Sequence, residues 1–169
     1  MESRVKFLGH SVHQQLIVFP LGLLATAVAF DLVNIITDRP TMAMVAYWLI
    51  VAGLIGGLIA APFGFLDWLK IPAGTRAKWI GMAHGSSNLI VLALFGLSWW
   101  LRIDNEITPG ALARAASFAG AGVSLLGAWL GGELVGRLGV GVSDDAHLNA
   151  PNSMSRRPAQ ETVNAPPWG

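Results

Sequence analysis

Residues 43–65 read AMVAYWLIVAGLIGGLIAAPFGF, without a charged side chain. At about 1.5 Å of rise per residue a helix of this run reaches ~34 Å, which exceeds the roughly 30 Å of bilayer hydrocarbon. It lacks the apolar–polar alternation over about 10 residues that marks a membrane β-strand. Lipid offers no hydrogen bonds to backbone N–H and C=O groups, so a run of this kind is expected to cross as a helix.

Three more apolar runs flank it, at Leu16–Ile36, Ile80–Leu101 and Leu112–Leu134. Asp38-Arg39-Pro40, residues Asp67 to Lys78 and residues Arg102 to Pro109 separate them. Thr108-Pro109 has the form of an N-cap followed by proline in the first helical turn. The expected fold is an all-α integral membrane protein, with four transmembrane helices in a bundle over residues 1–142. From Ser143 to Gly169 the chain is polar and without apolar periodicity, and a disordered cytoplasmic tail is expected, with His147 solvated in it.

Composition agrees with lipid as the main partner. The chain is 53% hydrophobic and 12% charged, against about 25% charged in soluble domains. A net charge of +1, with no basic stripe of interleaved aromatics, gives no footprint for nucleic acid. The absence of cysteine excludes disulfides, thiolate metal sites, iron–sulfur clusters and covalently attached c-type haem.

Lysine and arginine placement sets the orientation. Arg4, Lys6, Lys70, Arg76, Lys78, Arg137, Arg156 and Arg157 fall on one side, and Arg39, Arg102 and Arg114 on the other. Both termini are therefore expected to be cytoplasmic. Trp48, Trp68, Trp79, Trp99 and Trp100 near span ends fit an interfacial belt. Arg4 and Lys6, an apolar run and Ala27-Val28-Ala29 imitate a cleavable signal peptide. The apolar run continues through Ile36, however, and retention of the first span is the expectation.

Small residues recur every fourth position, as Gly53/Gly57/Ala61 and Gly56/Ala60/Gly64 in the second span. The fourth carries Gly120/Ser124/Ala128/Gly132/Gly136, and the third opens with Gly81/Gly85. Such stripes let helices approach closely, and they also leave room for a flat cofactor. Pro20 and Pro62 are expected to kink their helices.

Ionisable groups gather at the cytoplasmic end: His10 and His13 before the first span, Asp67 at the end of the second, His84 one turn inside the third, and Glu133 near the end of the fourth. Asn88 shares the face of His84, and Arg137 stands four residues after Glu133. An ionisable group in lipid points by default to a function. Simpler roles are open for each: an i,i+4 ion pair for Glu133 and Arg137, a headgroup helix end for Asp67, wet interfacial imidazoles for His10 and His13 on one helical face, and an interhelical hydrogen bond for His84 and Asn88.

Those same residues carry a family resemblance. Gly9-His10-Ser11-Val12-His13 leading to Phe19-Pro20-Leu21-Gly22 resembles the opening of the bacterial "domain of unknown function 2231" membrane family. Asp67-Trp68-Leu69-Lys70-Ile71-Pro72 with His84 and Asn88 does likewise. So does the closing Leu130-Gly131-Gly132-Glu133-Leu134-Val135 with Arg137 and Gly139 to Val142. The resemblance covers about residues 8 to 142 and implies a small multi-pass protein of the bacterial cytoplasmic membrane without an assigned activity. Members of the family can occur with redox domains, which implies a loose link to electron transfer and a redox or other membrane protein partner. The sequence departs from the family pattern at Ser11 and Gln14, where prolines are frequent, and at Leu138, where histidine is.

Three functional readings follow. No nucleophile–base pair, phosphate loop or catalytic motif is legible, which favours a non-enzymatic bundle or accessory subunit serving another membrane protein. The alternative is a b-type haem held by His84 with His13 or His10, beside Asn88, with Arg76, Lys78 or Arg137 meeting the propionates. A third is a transition-metal or proton site built from His10, His13, Asp67, His84 and Glu133. Conduction through so small a bundle would require a homo-oligomer.

Overall fold

The computed structural model describes residues 1–155 and 157–163; Arg156, counted above among the cytoplasmic charges, lies outside them, as does the end of the tail. The element order is β1 (Lys6–Phe7), β2 (His10–Ser11), α1 (Val12–Leu16), α2 (Val18–Thr37), α3 (Pro40–Lys70), α4 (Arg76–Trp100) and α5 (Ala111–Gly132), closed by a π-helical turn at Glu133–Arg137. Four helices, Val12–Thr37, Pro40–Lys70, Arg76–Trp100 and Ala111–Arg137, are long and apolar enough to cross a membrane. They contain the four expected spans almost entirely and run past several of their ends.

Local chemistry sets the breaks. Pro20 has no N–H to give the carbonyl of Leu16, and the first span is interrupted there, at Ile17. Asp38 turns the chain after α2 with φ +52°, its N–H bonded to the Asn34 carbonyl. Arg39 is extended, as a residue before proline must be, and Pro40 opens α3. Thr75 caps α4 by accepting the N–H of Lys78. Thr108 does not cap α5, contrary to expectation. Its hydroxyl is bonded to the Asn105 side chain, and the helix starts at Ala111 with Gly110 as its N-cap.

α2 packs along α3 and α4 along α5, giving two antiparallel hairpins. The hairpins meet mainly through α3 and α4, and more sparsely through α2 and α5, so α2 and α4 stand diagonally across the bundle. The core is Leu24, Ala27, Ile50, Val91 and Phe95, with Val28, Leu49, Leu54, Trp99, Ala121 and Val123 around it. Small residues here receive knobs from neighbouring helices. A Cβ on Gly53 would fall 2.5 Å from Leu24, one on Gly57 2.6 Å from Leu92, and one on Gly120 2.8 Å from the Phe95 ring. Ile55, Leu58, Trp79, Leu89, Leu112, Leu125 and Trp129 are exposed on the outside, a surface suited to lipid.

Beyond residue 142 the described residues form turns, bends and irregular chain. They fold back on the N-terminal segment: Ser143 Oγ donates to Glu2, and Ser153 Oγ to the Leu8 carbonyl. The N-H of Gly141 reaches the Met1 carbonyl. Residues 1–11 and 138–145 thus cover one end of the bundle.

Candidate functional site

His13 projects from α1 onto α3. Its Nδ1 is 3.1 Å from the carbonyl oxygen of Ala60, and its ring fills the place of a side chain at Gly64, where a Cβ would sit 2.7 Å from Cε1. His84 makes the same arrangement within the other hairpin. Its Nδ1 is 2.9 Å from the Gly127 carbonyl on α5, and a Cβ on Gly131 would meet its Cε1 at 3.2 Å. A carbonyl only accepts, so both Nδ1 atoms carry a proton, an arrangement that in the neutral ring leaves the lone pair on Nε2. Gly64 is required by the imidazole lying against it, whereas at Gly131 a methyl group would fit if His84 gave way by a few tenths of an ångström.

The two histidines lie at the same depth. Asp31 of α2 and Arg102, just past α4, are in direct contact, and these helices run in the same direction. His13 stands eighteen residues before Asp31, and His84 eighteen before Arg102. Both imidazoles are therefore roughly 27 Å from that ion pair along the bundle, one at the start of the span that contains α2 and the other at the start of α4. Asn88, one turn above, places Nδ2 3.1 Å from Nε2 of His84 and donates to its lone pair.

The other expected site residues do not join them. His10 is not on a helix with His13: it pairs with Phe7 in the β-hairpin, is exposed, and lies 3.4 Å from Ser153 Oγ. Helix begins only at Val12, because the hairpin's backbone pairing claims the residues before it. Asp67 is buried and committed to the covering segment. Its oxygens accept from Ser3 Oγ at 2.7 Å, from the N–H of Arg4 at 2.6 Å, and weakly from Ser11 at 3.4 Å. Glu133 pairs with Arg76 at 2.6 Å, not with Arg137, since the π-helical turn at Glu133–Arg137 removes the stacking of positions four apart. Lys78 lies 3.9 Å over the Trp68 ring and donates to the Trp68 carbonyl. Among the described residues no three His, Asp or Glu side chains gather as a metal-holding group.

A second polar centre went unread in the sequence. Arg102 and Asp31, both fully buried, form a two-pronged pair at 2.8 and 2.7 Å. Arg102 Nε also donates to Ser98 Oγ, and Ser117 Oγ donates to Asp31. Alongside, Arg114 donates to Asn34, which donates to the Arg39 carbonyl. The signal was present, since Asp31 is the one charge inside the Leu16–Ile36 run. Arg102 opens the segment between the third and fourth spans, where its sequence position alone gives no sign of burial. The two polar centres are separated by the apolar core.

No curated protein and no solved structure matches the chain. Residues 9–144 match the family described as "Predicted membrane protein (DUF2231)". With four apolar helices and that match over most of its length, the chain belongs to this family of multi-pass membrane proteins.

Proposed function

We propose that the protein is a non-enzymatic redox subunit of the bacterial cytoplasmic membrane, holding one b-type haem between His13 and His84. The observation that carries this reading is the matched state of the two imidazoles: same depth, diagonal helices, Nδ1–H fixed on a helix carbonyl, Nε2 with its lone pair, and a glycine under each ring. Ligating histidines are typically fixed in this way through their second nitrogen. The donor set also fits. A bare metal ion takes four or more ligands from protein and water, whereas a haem brings four of its own and needs an axial pair. Bound haem would supply one-electron chemistry.

The chain's own residues would bind and tune it. The Ala60 and Gly127 carbonyls would hold the imidazoles in register and raise their basicity. Asn88 would give up His84 Nε2 on loading. Arg137, exposed and without an ion pair among the described residues, is the free cation closest in sequence to the His84 side of α5; Arg76 and Lys78 are already engaged. The apolar core between the two ends supports electron exchange on one face, with a membrane redox partner, and no conduction across.

The orientation proposed is with both termini cytoplasmic. Burying Arg102 against Asp31 takes one cation out of the opposite face, which sharpens the positive-inside asymmetry. Residues 1–142 then form the membrane domain and 143–169 a cytoplasmic tail.

A second reading rests on the Asn88 contact. If that bond is permanent, the histidines are interhelical staples and the protein is an accessory bundle without a cofactor. Oxidised and reduced visible spectra of protein purified after expression with ample haem separate the two. A Soret band that disappears in both His13→Ala and His84→Ala supports the haem reading. A colourless protein of normal stability overturns it and leaves the accessory role.

A further inference from the structure

The turn between β1 and β2 is made by Leu8 at φ +52° and Gly9 at φ +85°. Positive φ at both central positions defines the I′ hairpin, whose first position is normally Asn, Asp or Gly. Leucine there is a steric outlier. Backbone strain of this kind persists where something else compensates it.

Among the described residues, the Leu8 carbonyl accepts a hydrogen bond from Ser153 Oγ. Leu8 is 58% exposed and Phe7 60%, so the tip offers two adjacent large apolar residues outward. Basic residues are close to it in the chain and the covering segment: Lys6 precedes Phe7, Arg4 stands two residues earlier, and Lys70 donates to the Glu2 carbonyl. Arg4, Lys6 and Lys70 are all exposed; Lys6 is paired with Glu2, and the Arg4 side chain has no ion pair among the described residues.

Depth decides what the tip meets. The hairpin leads directly into α1 at Val12, one residue before His13, and its strands are two residues long, so its tip stays within about 10 Å of Ser11. Trp79, exposed on α4 and five residues before His84, places the interfacial belt roughly 7–8 Å outward of the histidines. The tip therefore lies in the headgroup layer, where apolar tips with basic flanks bind anionic lipid.

We propose that the Phe7–Leu8 hairpin tip docks into the leaflet at the end bearing the histidines, with Arg4 and Lys6 against lipid phosphates. The tip ties the segment covering that end to the membrane surface, and this holds whether or not haem binds.

The chain has no cysteine, so Leu8→Cys and, separately, Phe7→Cys can each carry a single nitroxide in the full-length protein. The protein is reconstituted into vesicles of phosphatidylethanolamine and phosphatidylglycerol, with Gln160→Cys as a soluble reference. Docking is expected to lower collisions with a water-soluble nickel chelate about threefold or more relative to position 160, while raising collisions with oxygen. Replacing phosphatidylglycerol by a neutral lipid should partly reverse this. Positions 7 and 8 both as open to the chelate as position 160 would overturn the proposal, and would mean a tip that is free or reserved for a protein.

Discussion

The imidazole of His13 occupies the space that a side chain at position 64 would need. The corresponding space at Gly131 is taken by His84 with more clearance, 3.2 Å against 2.7 Å. One helix pair is thus closed on its histidine and the other merely in contact.

This difference predicts unequal effects of one methyl group. Gly64→Ala should displace the His13 ring from the Ala60 carbonyl and destabilise the protein by about 1–3 kcal/mol, in the range for overpacking. Gly131→Ala should cost distinctly less. Thermal unfolding in one detergent, run side by side, checks the order; equal losses would contradict it.

Asn88→Ala removes the donor on His84 Nε2. The haem-free protein should lose about 1 kcal/mol, the usual value of such a bond, while the haem content after expression rises. Haem titration followed at the Soret band measures the second effect. A loss of stability without any gain in haem uptake would favour the staple reading.

Asp31→Ala or Arg102→Ala alone leaves a buried charge without its partner and should cost about 3–5 kcal/mol. The pair replaced together by Leu and Met should recover most of that, because the desolvation penalty goes with the charges. Resistance to unfolding in mixed micelles reads both. A double variant as weak as the singles would show the network to be needed for more than charge balance.

The Lys6 ammonium and the Ser143 hydroxyl, both bonded to Glu2, hold its carboxyl below the ordinary value of 4.5. A depressed folded-state value means the contribution is present above that ordinary value and is lost as pH falls through the lower one. The contact between residues 1–11 and 138–145 should therefore loosen below about pH 4.5, and remain unchanged from pH 6 to 8. Hydrogen exchange at Gly141 and Val142, corrected for intrinsic rates, follows it. Glu2→Gln should exchange fast at every pH. Because Glu2 is largely solvated, the effect on global stability should be small.

The four spans were legible because each is a long run with few or no charges, and lipid leaves such a run one backbone solution. His84, Asn88 and His13 were legible for a related reason, as polar groups at span ends with few alternatives. Asp31 was overlooked because one carboxylate hardly lowers the mean hydropathy of its span. Its partner is 71 positions away, and no local period connects them. The engagements of His10, Asp67 and Glu133 were out of reach for the same reason: a two-residue hairpin, the return of Ser3 and Arg4 to Asp67, and a π-helical turn are tertiary outcomes.

The distance in sequence between Asp31 and Arg102 also bears on how the protein is made. The carboxylate enters the membrane with the first helical hairpin, and its guanidinium is synthesised 71 residues later. At about 5–20 residues per second that interval is ~4–14 s. Through it, Asp31 has to stay hydrated near the surface or take up a proton, since an unpaired charge in lipid is costly. The first hairpin is thus committed to its final depth only when the second arrives, and a ribosome stalled between the two should leave a half-inserted chain for the quality-control proteases to remove.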